Sequence, residues 1–395
     1  MLAVLILLLG LAGPFVSDGL AAPATATPPV GQAEQPGVPG PEFVQAPSAI
    51  LINAEDGRVL YEKNPDERRP MASTTKIMTG LLALETLDLD QVVTASKTAD
   101  QAGESEIWLV PGEKLTVEEL LYATLVKSAN DAAVALAEAS AGTVEAFVEQ
   151  MNQKAAELGL ENTQFRNPHG LDVEGHYSSA RDLALLGRYA MQNEDFRRFV
   201  GTAETTISWP GRDYDRVLKS SNHLLGEIGF VNGIKTGYTG DAGYCLVGSG
   251  SRDGVSLISV TLGEPDADTR NRDTVNLLEW GFSQYEEMVF AEENEEVAEL
   301  AVPYRIDEVL PLVTAKRLSG VVHVDDEVQR AVDIPEELPL PVEAGQPLGE
   351  VRILVNGEAH CEVDLVAARS VSPPTLGLKA RYFWDRFLMW LSSAF

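Results

Sequence analysis

The stretch PMASTTKIMT, residues 70–79, is the part of this chain that most constrains its fold and chemistry. It places Ser73 three residues before Lys76, directly after Pro70. Proline favours the first turn of a helix, and residues three apart on a helix share a face. We therefore expect Ser73 Oγ and Lys76 Nζ to come within hydrogen-bonding reach. A serine hydroxyl needs an adjacent base to act as a nucleophile, and lysine is such a base only when its pKa is lowered.

A serine three residues before a lysine is common, and an exposed helix start explains the pattern equally well. Thr94 stands in the same relation to Lys97, which shows how easily the spacing arises by chance. The assignment of Ser73 as a nucleophile therefore depends on the motifs that accompany it.

Two further motifs carry side chains suited to acyl transfer. Ser128-Ala129-Asn130 lies at the junction of two predicted helices, where its hydroxyl could relay a proton and its amide could hold a substrate amide. Serine and asparagine are also ordinary helix N-caps. Lys235-Thr236-Gly237 lies just before a predicted strand or at the start of an edge strand. Its lysine and threonine could bind a carboxylate, and Gly237 permits close backbone approach, although an ordinary turn could have this composition.

The pattern around these motifs predicts an α+β domain over residues 47–286. A hairpin is followed by a mostly helical block, and strands and a last helix follow near the end. Strands on both sides of a helical block suggest that the N- and C-terminal strands share one sheet. The predicted elements are strands at 49–53, 58–61, 243–248 and 255–262, a helical block at 71–160, and a helix at about 272–285.

The segments outside this domain have compositions of their own. Residues 1–22 resemble a signal peptide without a basic start, and residues 23–46, rich in Pro, Ala, Gly and Thr, predict a flexible linker. An acidic boundary at 286–298 precedes a small all-β sandwich domain predicted at 296–371. Residues 376–395 predict an amphipathic helix that lies on a membrane surface, although packing on its own domain is an alternative.

The overall charge excludes some partners. A net charge of −30 without Lys/Arg clusters argues against nucleic-acid binding, and membrane attachment would have to come from apolar burial. The two cysteines, Cys245 and Cys361, are expected in different domains as unpaired thiols. No zinc motif is formed by the five histidines.

The three motifs together, in this order, match the trio of serine β-lactamases and penicillin-binding proteins. The chain resembles the D-alanyl-D-alanine carboxypeptidases, the low-molecular-mass penicillin-binding proteins. The resemblance covers nearly the whole chain after residue 22. The segments that carry it are PMASTTKIMT at 70–79, NPHGLD at 167–172, SSARDL at 178–183, NGIKTG at 232–237 and EAGQPLG at 343–349.

The resemblance implies a mechanism without a metal or cofactor. In it, Ser73 attacks the carbonyl between the last two D-alanines of a peptidoglycan stem pentapeptide, and Lys76 takes its proton. Ser128 then assists proton transfer. β-Lactam antibiotics would acylate the same serine, and the enzyme would work on the extracytoplasmic face of the cell membrane.

The resemblance also implies how the substrate is held. Asn130 would hold the peptide, and Lys235 and Thr236, with help from Arg270, would bind the terminal carboxylate. The backbone N–H groups of Ser73 and Tyr238 would form the oxyanion hole.

Within the mid-domain loop, the resemblance suggests a structural pair between His169 and Asp182. The sequence departs from many family members at Tyr238, where they have histidine. Acylation should survive this change because the expected oxyanion donor is a backbone group, but the rate of deacylation is left open.

Two other functions are compatible with the motifs. A class A-like β-lactamase would need a loop glutamate for deacylation, and no convincing Glu-x-x-Leu-Asn occurs between Asn130 and Lys235. A catalytically silent wall-binding scaffold is the second alternative, although every nucleophilic position is filled.

Overall fold

The structure, a computed structural model, describes residues 43–393. The predicted signal peptide and most of the predicted linker lie outside these residues. The first domain is built on an antiparallel sheet with strand order β2-β1-β9-β8-β7. Its strands are β1 (Ser48–Asn53), β2 (Val59–Lys63), β7 (Val231–Thr239), β8 (Gly243–Arg252) and β9 (Val255–Glu264). The N-terminal strand β1 pairs with β9, as the sequence predicted.

Helices cover both faces of this sheet. The helical block on one face begins with a 3-10 turn at Ala72–Thr75 and includes a π-helical turn at Ala123–Lys127. Its helices are α1 (Lys76–Thr86), α2 (Lys97–Asp100), α3 (Val117–Tyr122), α4 (Asn130–Ala141), α5 (Val144–Glu157), α6 (Ala180–Ala190) and α7 (Glu194–Val200). The other face is covered by α8 (Ala267–Ser283). Two short hairpins extend from the block: β3 (Val92–Thr94) with β4 (Lys114–Thr116), and β5 (Glu204–Ile207) with β6 (Arg216–Lys219).

Strand β1 is buried on both sides because it lies between these layers. Ile50 and Ile52 join the core under the helical block, whereas Ala49 and Leu51 join the core under α8. Successive side chains of a strand point to opposite faces, which explains this division. The sequence SAILIN is accordingly a continuous apolar run rather than an alternating one.

Three boundaries differ from the sequence predictions. The Lys235 motif lies within β7, an edge strand, rather than before a strand or at its start. Helix α8 begins at Ala267, capped by Asp266, and not near residue 272, so Arg270 belongs to its first turn. The acidic segment 286–298 is largely strand, because Tyr285–Ala291 forms an antiparallel pair with Leu318–His323 of the second domain.

The end of the predicted flexible linker is packed rather than free. Val44 and Ala46 are buried in the core under α8. The backbone N–H of Gln45 donates to the carboxylate of Asp273, which lies beside Glu264. Burial and the charge of Asp273 raise the pKa of Glu264 to about 8. Two neighbouring buried carboxyls, an arrangement that favours the protonated form of Glu264, therefore lie where the chain enters the domain.

The second domain is a small β structure with a core of its own. One sheet has strand order β11-β12-β16-β15-β14, and a two-stranded sheet pairs β10 with β13. Its strands are β10 (Tyr285–Ala291), β11 (Glu296–Ala301), β12 (Val309–Thr314), β13 (Leu318–His323), β14 (Val328–Asp333), β15 (Pro347–Val355) and β16 (Glu358–Ala367). Cys361 lies in this domain and Cys245 in the first, both as free thiols, as predicted.

Helix α9 (Leu376–Ser393) ends the described chain. Phe383, Trp384 and Phe387 on it are each about half exposed or more, and Tyr304 of the β domain contacts the ring of Phe383. Among residues 43–393, no helix is both long enough and apolar enough to cross a bilayer.

Candidate active site

Ser73 and Lys76 meet at the start of the helical block. Lys76 Nζ lies 3.0 Å from Ser73 Oγ, which confirms the predicted contact. Ala72, immediately before the serine, has a left-handed φ of +48°. Such a conformation is strained for a residue with a side chain and persists only where the surroundings enforce it. The chain therefore turns sharply at the serine before helix α1 begins.

The surroundings of Lys76 favour an uncharged amine. Its side chain is fully buried, and burial together with the positive charge of Lys235 lowers its pKa well below the usual value. Besides Ser73 Oγ, its Nζ contacts two carbonyl oxygens, the side-chain Oδ1 of Asn130 and the backbone oxygen of His169, each at 2.6 Å. A neutral amine has two N–H donors and one lone pair. Two carbonyl acceptors use both donors, which leaves the lone pair for the serine hydroxyl.

Ser128 and Asn130 line the opposite wall. Ser128 follows the π-helical turn with a left-handed φ of +69°, which aims its side chain into the cleft. Its Oγ accepts a hydrogen bond from Lys235 Nζ at 2.9 Å. The Asn130 side chain bridges Lys76 and the carbonyl of Gly103, to which Nδ2 donates at 2.8 Å. The predicted second motif therefore joins both lysines of the site.

Strand β7 forms the third wall. Lys235 is buried, and burial together with the nearby charge of Arg270 lowers its pKa to about 7. The Thr236 hydroxyl lies 2.6 Å from Ser221 Oγ. A Cβ added at Gly237 would lie 3.0 Å from the backbone nitrogen of Ser73, so glycine lets the strand pass close to the serine without crowding it.

Tyr238 and Arg270 border the cleft differently. The Tyr238 side chain is 56% exposed and packs against Tyr244, with ring centroids 4.4 Å apart. The Arg270 side chain is buried and donates to Asn271 Oδ1 at 2.8 Å. Within the described residues 43–393, no carboxylate forms an ion pair with this guanidinium, which leaves its charge available to the cleft.

The predicted pair between His169 and Asp182 is wrong. The carboxylate of Asp182 accepts hydrogen bonds from the backbone of Asn162 and the hydroxyl of Thr163. His169 Nδ1 instead accepts from the backbone N–H of Leu171, and its carbonyl receives Lys76. Asp182 lies in the first turn of α6, where its side chain anchors the start of the loop rather than its tip.

Two residues that the sequence did not single out support the nucleophile. His176 Nδ1 accepts from the backbone N–H of Arg166, so its Nε2 is the donor to the Thr75 hydroxyl at 2.9 Å, which in turn donates to the carbonyl of Ala72. Burial lowers the pKa of His176 to about 4 and keeps it neutral. Gly170, with a φ of +96°, packs directly on the carbonyl of Ala72. The sequence signal for Gly170 was its place in the NPHGLD segment at 167–172, whereas His176 lies between that segment and SSARDL at 178–183 and had no signal of its own.

A buried hydroxyl–amine pair, a second lysine and an open edge strand define a serine acyl-transfer site. Comparison with known proteins agrees with this class. The family model for D-alanyl-D-alanine carboxypeptidase (peptidase family S11) matches residues 33–266, and the model for the penicillin-binding protein 5 C-terminal domain matches residues 285–373. This chain belongs to the D-alanyl-D-alanine carboxypeptidase family and is a serine peptidase.

Individual relatives match over most of their length. The chain is 38% identical over 331 residues to the D-alanyl-D-alanine carboxypeptidase DacF of Bacillus subtilis, covering 82% of this chain and 85% of the relative. Among solved structures, penicillin binding protein 5 from Haemophilus influenzae matches with a TM-score of 0.61 and 31% identity, over 85% of this chain and 100% of that one. The carboxypeptidase DacD from Francisella tularensis matches with a TM-score of 0.59 and 28% identity, over 87% and 98% respectively. The two solved structures match this chain across both its α+β domain and its small β domain.

Proposed function

We propose that this chain removes the terminal D-alanine from peptidoglycan stem pentapeptides through an acyl-enzyme on Ser73. The observation that carries the proposal is the position of the buried Lys76 Nζ, 3.0 Å from Ser73 Oγ and 2.6 Å from two carbonyl oxygens. In the neutral amine, these two carbonyls take both N–H donors, so the lone pair serves the serine hydroxyl. The named activity of the relatives supplies the substrate class.

The reaction divides into two proton-balanced halves. The Ser73 hydroxyl gives its proton to Lys76 as Oγ attacks the carbonyl between the two D-alanines. Lys76 then releases this proton, and the Ser128 hydroxyl, hydrogen-bonded to Lys235, relays it to the leaving amine as the C–N bond breaks. In the second half, water attacks the ester carbonyl and gives a proton to neutral Lys76, which returns it to Ser73 Oγ as the C–O bond breaks.

Charged and polar side chains and two backbone N–H groups hold the substrate during these steps. Lys235, Thr236 and Arg270 bind the terminal carboxylate, and Asn130 binds the peptide amide. The N–H groups of Ser73 and Tyr238 stabilise the tetrahedral oxyanion, a contribution of about 3–4 kcal/mol for each donor. The close passage of Gly237 along the backbone nitrogen of Ser73 supports this role, because Tyr238 is the next residue on that strand.

β-Lactams enter the same reaction because they carry a strained amide carbonyl, which Ser73 attacks, and a separate carboxylate, which the groups that bind the terminal carboxylate of the peptide can hold. A wild-type protein incubated with a muramyl pentapeptide should yield tetrapeptide and free D-alanine, and Ser73→Ala should yield neither. A labelled penicillin should remain bound for long periods. Rapid turnover of the label would instead indicate a β-lactamase, and absence of labelling would indicate a catalytically silent scaffold.

The proposal extends to the cell surface. Residues 1–22 serve as an export signal, residues 23–42 as a tether, and α9 lies on the outer surface of the cytoplasmic membrane through its aromatic face. The exposed rings of Phe383, Trp384 and Phe387 support this role of α9. A protein truncated after Ser372 and lacking residues 1–22 should remain active and no longer sediment with vesicles. Unchanged sedimentation would refute the role of the helix.

A further inference from the structure

Exposed aromatic side chains border the cleft on its helical side. Trp108 is 65% exposed and Tyr214 is 59% exposed. Trp209, partly exposed, meets the ring of Tyr214 edge-on at 5.5 Å. We call Trp108, Trp209 and Tyr214 the aromatic rim. Large rings in solvent are disfavoured in a soluble domain, and several together mark a binding surface.

The rim is held by buried groups. Arg216 is the link, because its guanidinium lies 4.6 Å from the Trp209 ring centroid and donates to the carbonyl of Trp108 at 3.4 Å. Arg216 is itself fixed by a buried ion pair with Glu113 at 2.6 Å. A buried ion pair leaves little freedom to the guanidinium, so the two tryptophans keep their relative positions.

The loop that carries Trp108 is equally constrained. Trp108 has a left-handed φ of +58°, a conformation that is unfavourable for a residue with a side chain. The N–H groups on either side of it, those of Ile107 and Leu109, both donate to the buried carboxylate of Asp131, at 3.1 and 3.0 Å. These bonds enforce the strained conformation, as is found where a side chain is presented to a ligand.

Both segments of the rim lead directly into the cleft. The backbone N–H of Asn130 donates to the carbonyl of Ser105 at 2.6 Å, and Trp108 follows Ser105 by three residues, a span of at most about 11 Å. On the other side, the strand that follows Tyr214 leads to Ser221, which contacts the hydroxyl of Thr236. The rim is therefore an extension of the substrate cleft.

We propose that the aromatic rim binds a sugar of the glycan strand to which the stem peptide is attached. This inference rests on the proposed function. A stem peptide spans about 3.5 Å per residue, so the sugar lies about 14 Å from the carbonyl that Ser73 attacks, outside the pocket that holds the two D-alanines. The C–H faces of an N-acetylated pyranose pack well on aromatic rings. Tryptophan and tyrosine provide this contact at a low entropy cost because they have few rotatable bonds.

The test compares three substrates that share one scissile bond. These are a diacyl D-Ala-D-Ala tripeptide, the free stem pentapeptide, and the disaccharide pentapeptide. Trp108→Ala keeps the backbone conformation but removes the ring, whereas Trp108→Phe keeps a ring. For Trp108→Ala we expect kcat/KM to fall about three- to tenfold on the disaccharide pentapeptide alone, as stacking interactions of this size predict. The other two substrates and penicillin acylation should stay within about twofold, and Trp108→Phe should retain most of the activity.

A matched control is Val332→Ala, which removes an exposed apolar side chain from the β domain and should change none of these rates. Equal losses on the free and the sugar-linked pentapeptide would overturn the proposal, because the rim would then bind peptide. Unchanged rates on all substrates would overturn it as well.

A binding measurement tests sugar binding by the aromatic rim independently of whether the protein releases D-alanine. Peptide-free disaccharide is titrated onto the full chain, with tryptophan fluorescence as the readout. Saturable binding that Trp108→Ala weakens supports the rim even if the wild type releases no D-alanine. Equal binding by both proteins, or binding by neither, refutes it.

Discussion

Replacing Gly170 with alanine perturbs the nucleophile without touching a residue assigned to the chemistry. A Cβ on Gly170 would lie 2.0 Å from the carbonyl oxygen of Ala72 and 2.8 Å from the nitrogen of Ser73. Both neighbours are backbone atoms, so no side-chain rotation relieves the overlap. The loop or the segment with the serine must move.

The size of that movement follows from the same distances. Ordinary contact begins at 3.4 Å, so about 1.4 Å of displacement is needed (3.4 minus 2.0). A shift of about 1 Å at a catalytic group costs about 100-fold in rate. The positive φ of +96° adds about 1–2 kcal/mol of strain and overpacking about 1–3 kcal/mol more. We therefore expect Gly170→Ala to lose about 2–5 kcal/mol of unfolding free energy and at least about 100-fold in acylation rate.

The control is Gly142→Ala. Gly142 has a φ of +84° with nothing within 4 Å of an added Cβ, so it should show only the strain term of about 1–2 kcal/mol and acylate normally. Stopped-flow acylation by a fluorescent penicillin gives the rate, and urea denaturation gives the stability. If Gly170→Ala acylates as fast as Gly142→Ala, the close packing of the mid-domain loop on the nucleophile is not needed for catalysis.

Two further predictions concern pH. Only neutral Lys76 can accept a proton, so the acylation rate should fall as pH drops through the pKa of Lys76. Lys235→Gln removes a positive charge that lowers this pKa, so the acidic limb of the pH–rate profile should move to higher pH. An unmoved limb would contradict the coupling between the two lysines. Native Glu264 has a pKa of about 8 and the unfolded side chain about 4.5, so the native state holds the extra proton and the protein loses up to about 1.4 kcal/mol per pH unit between these values. Glu264→Gln should remove that slope in urea denaturation from pH 5 to pH 9, while equal slopes would show that the proton is not held there.

The sequence predicted those parts of the site that depend on local geometry. Ser73 and Lys76 meet because residues three apart on a helical turn share a face. The shared sheet followed from the order of strands and helices, with β1 against β9. The presence of the acidic and amphipathic segments was likewise visible in composition.

Long-range contacts were not predictable in this way. The packing of Gly170 on Ala72 joins residues almost 100 positions apart, and neither carries a periodic signal. The carboxylate of Asp182 is satisfied by the backbone N–H of Asn162 and the hydroxyl of Thr163, which lie 20 and 19 positions earlier in the chain, so it does not pair with His169. Val44 belongs to a Pro/Gly-rich stretch but is buried under α8, because tertiary contacts override composition.

The most direct test of the central claim is to locate the covalent adduct. Wild-type protein is mixed with benzylpenicillin, and the adduct is mapped by proteolysis and mass spectrometry. We expect a single penicilloyl group on Ser73 and no mass gain in Ser73→Ala. An adduct on Ser128, or one that persists in Ser73→Ala, would contradict the assignment of the nucleophile.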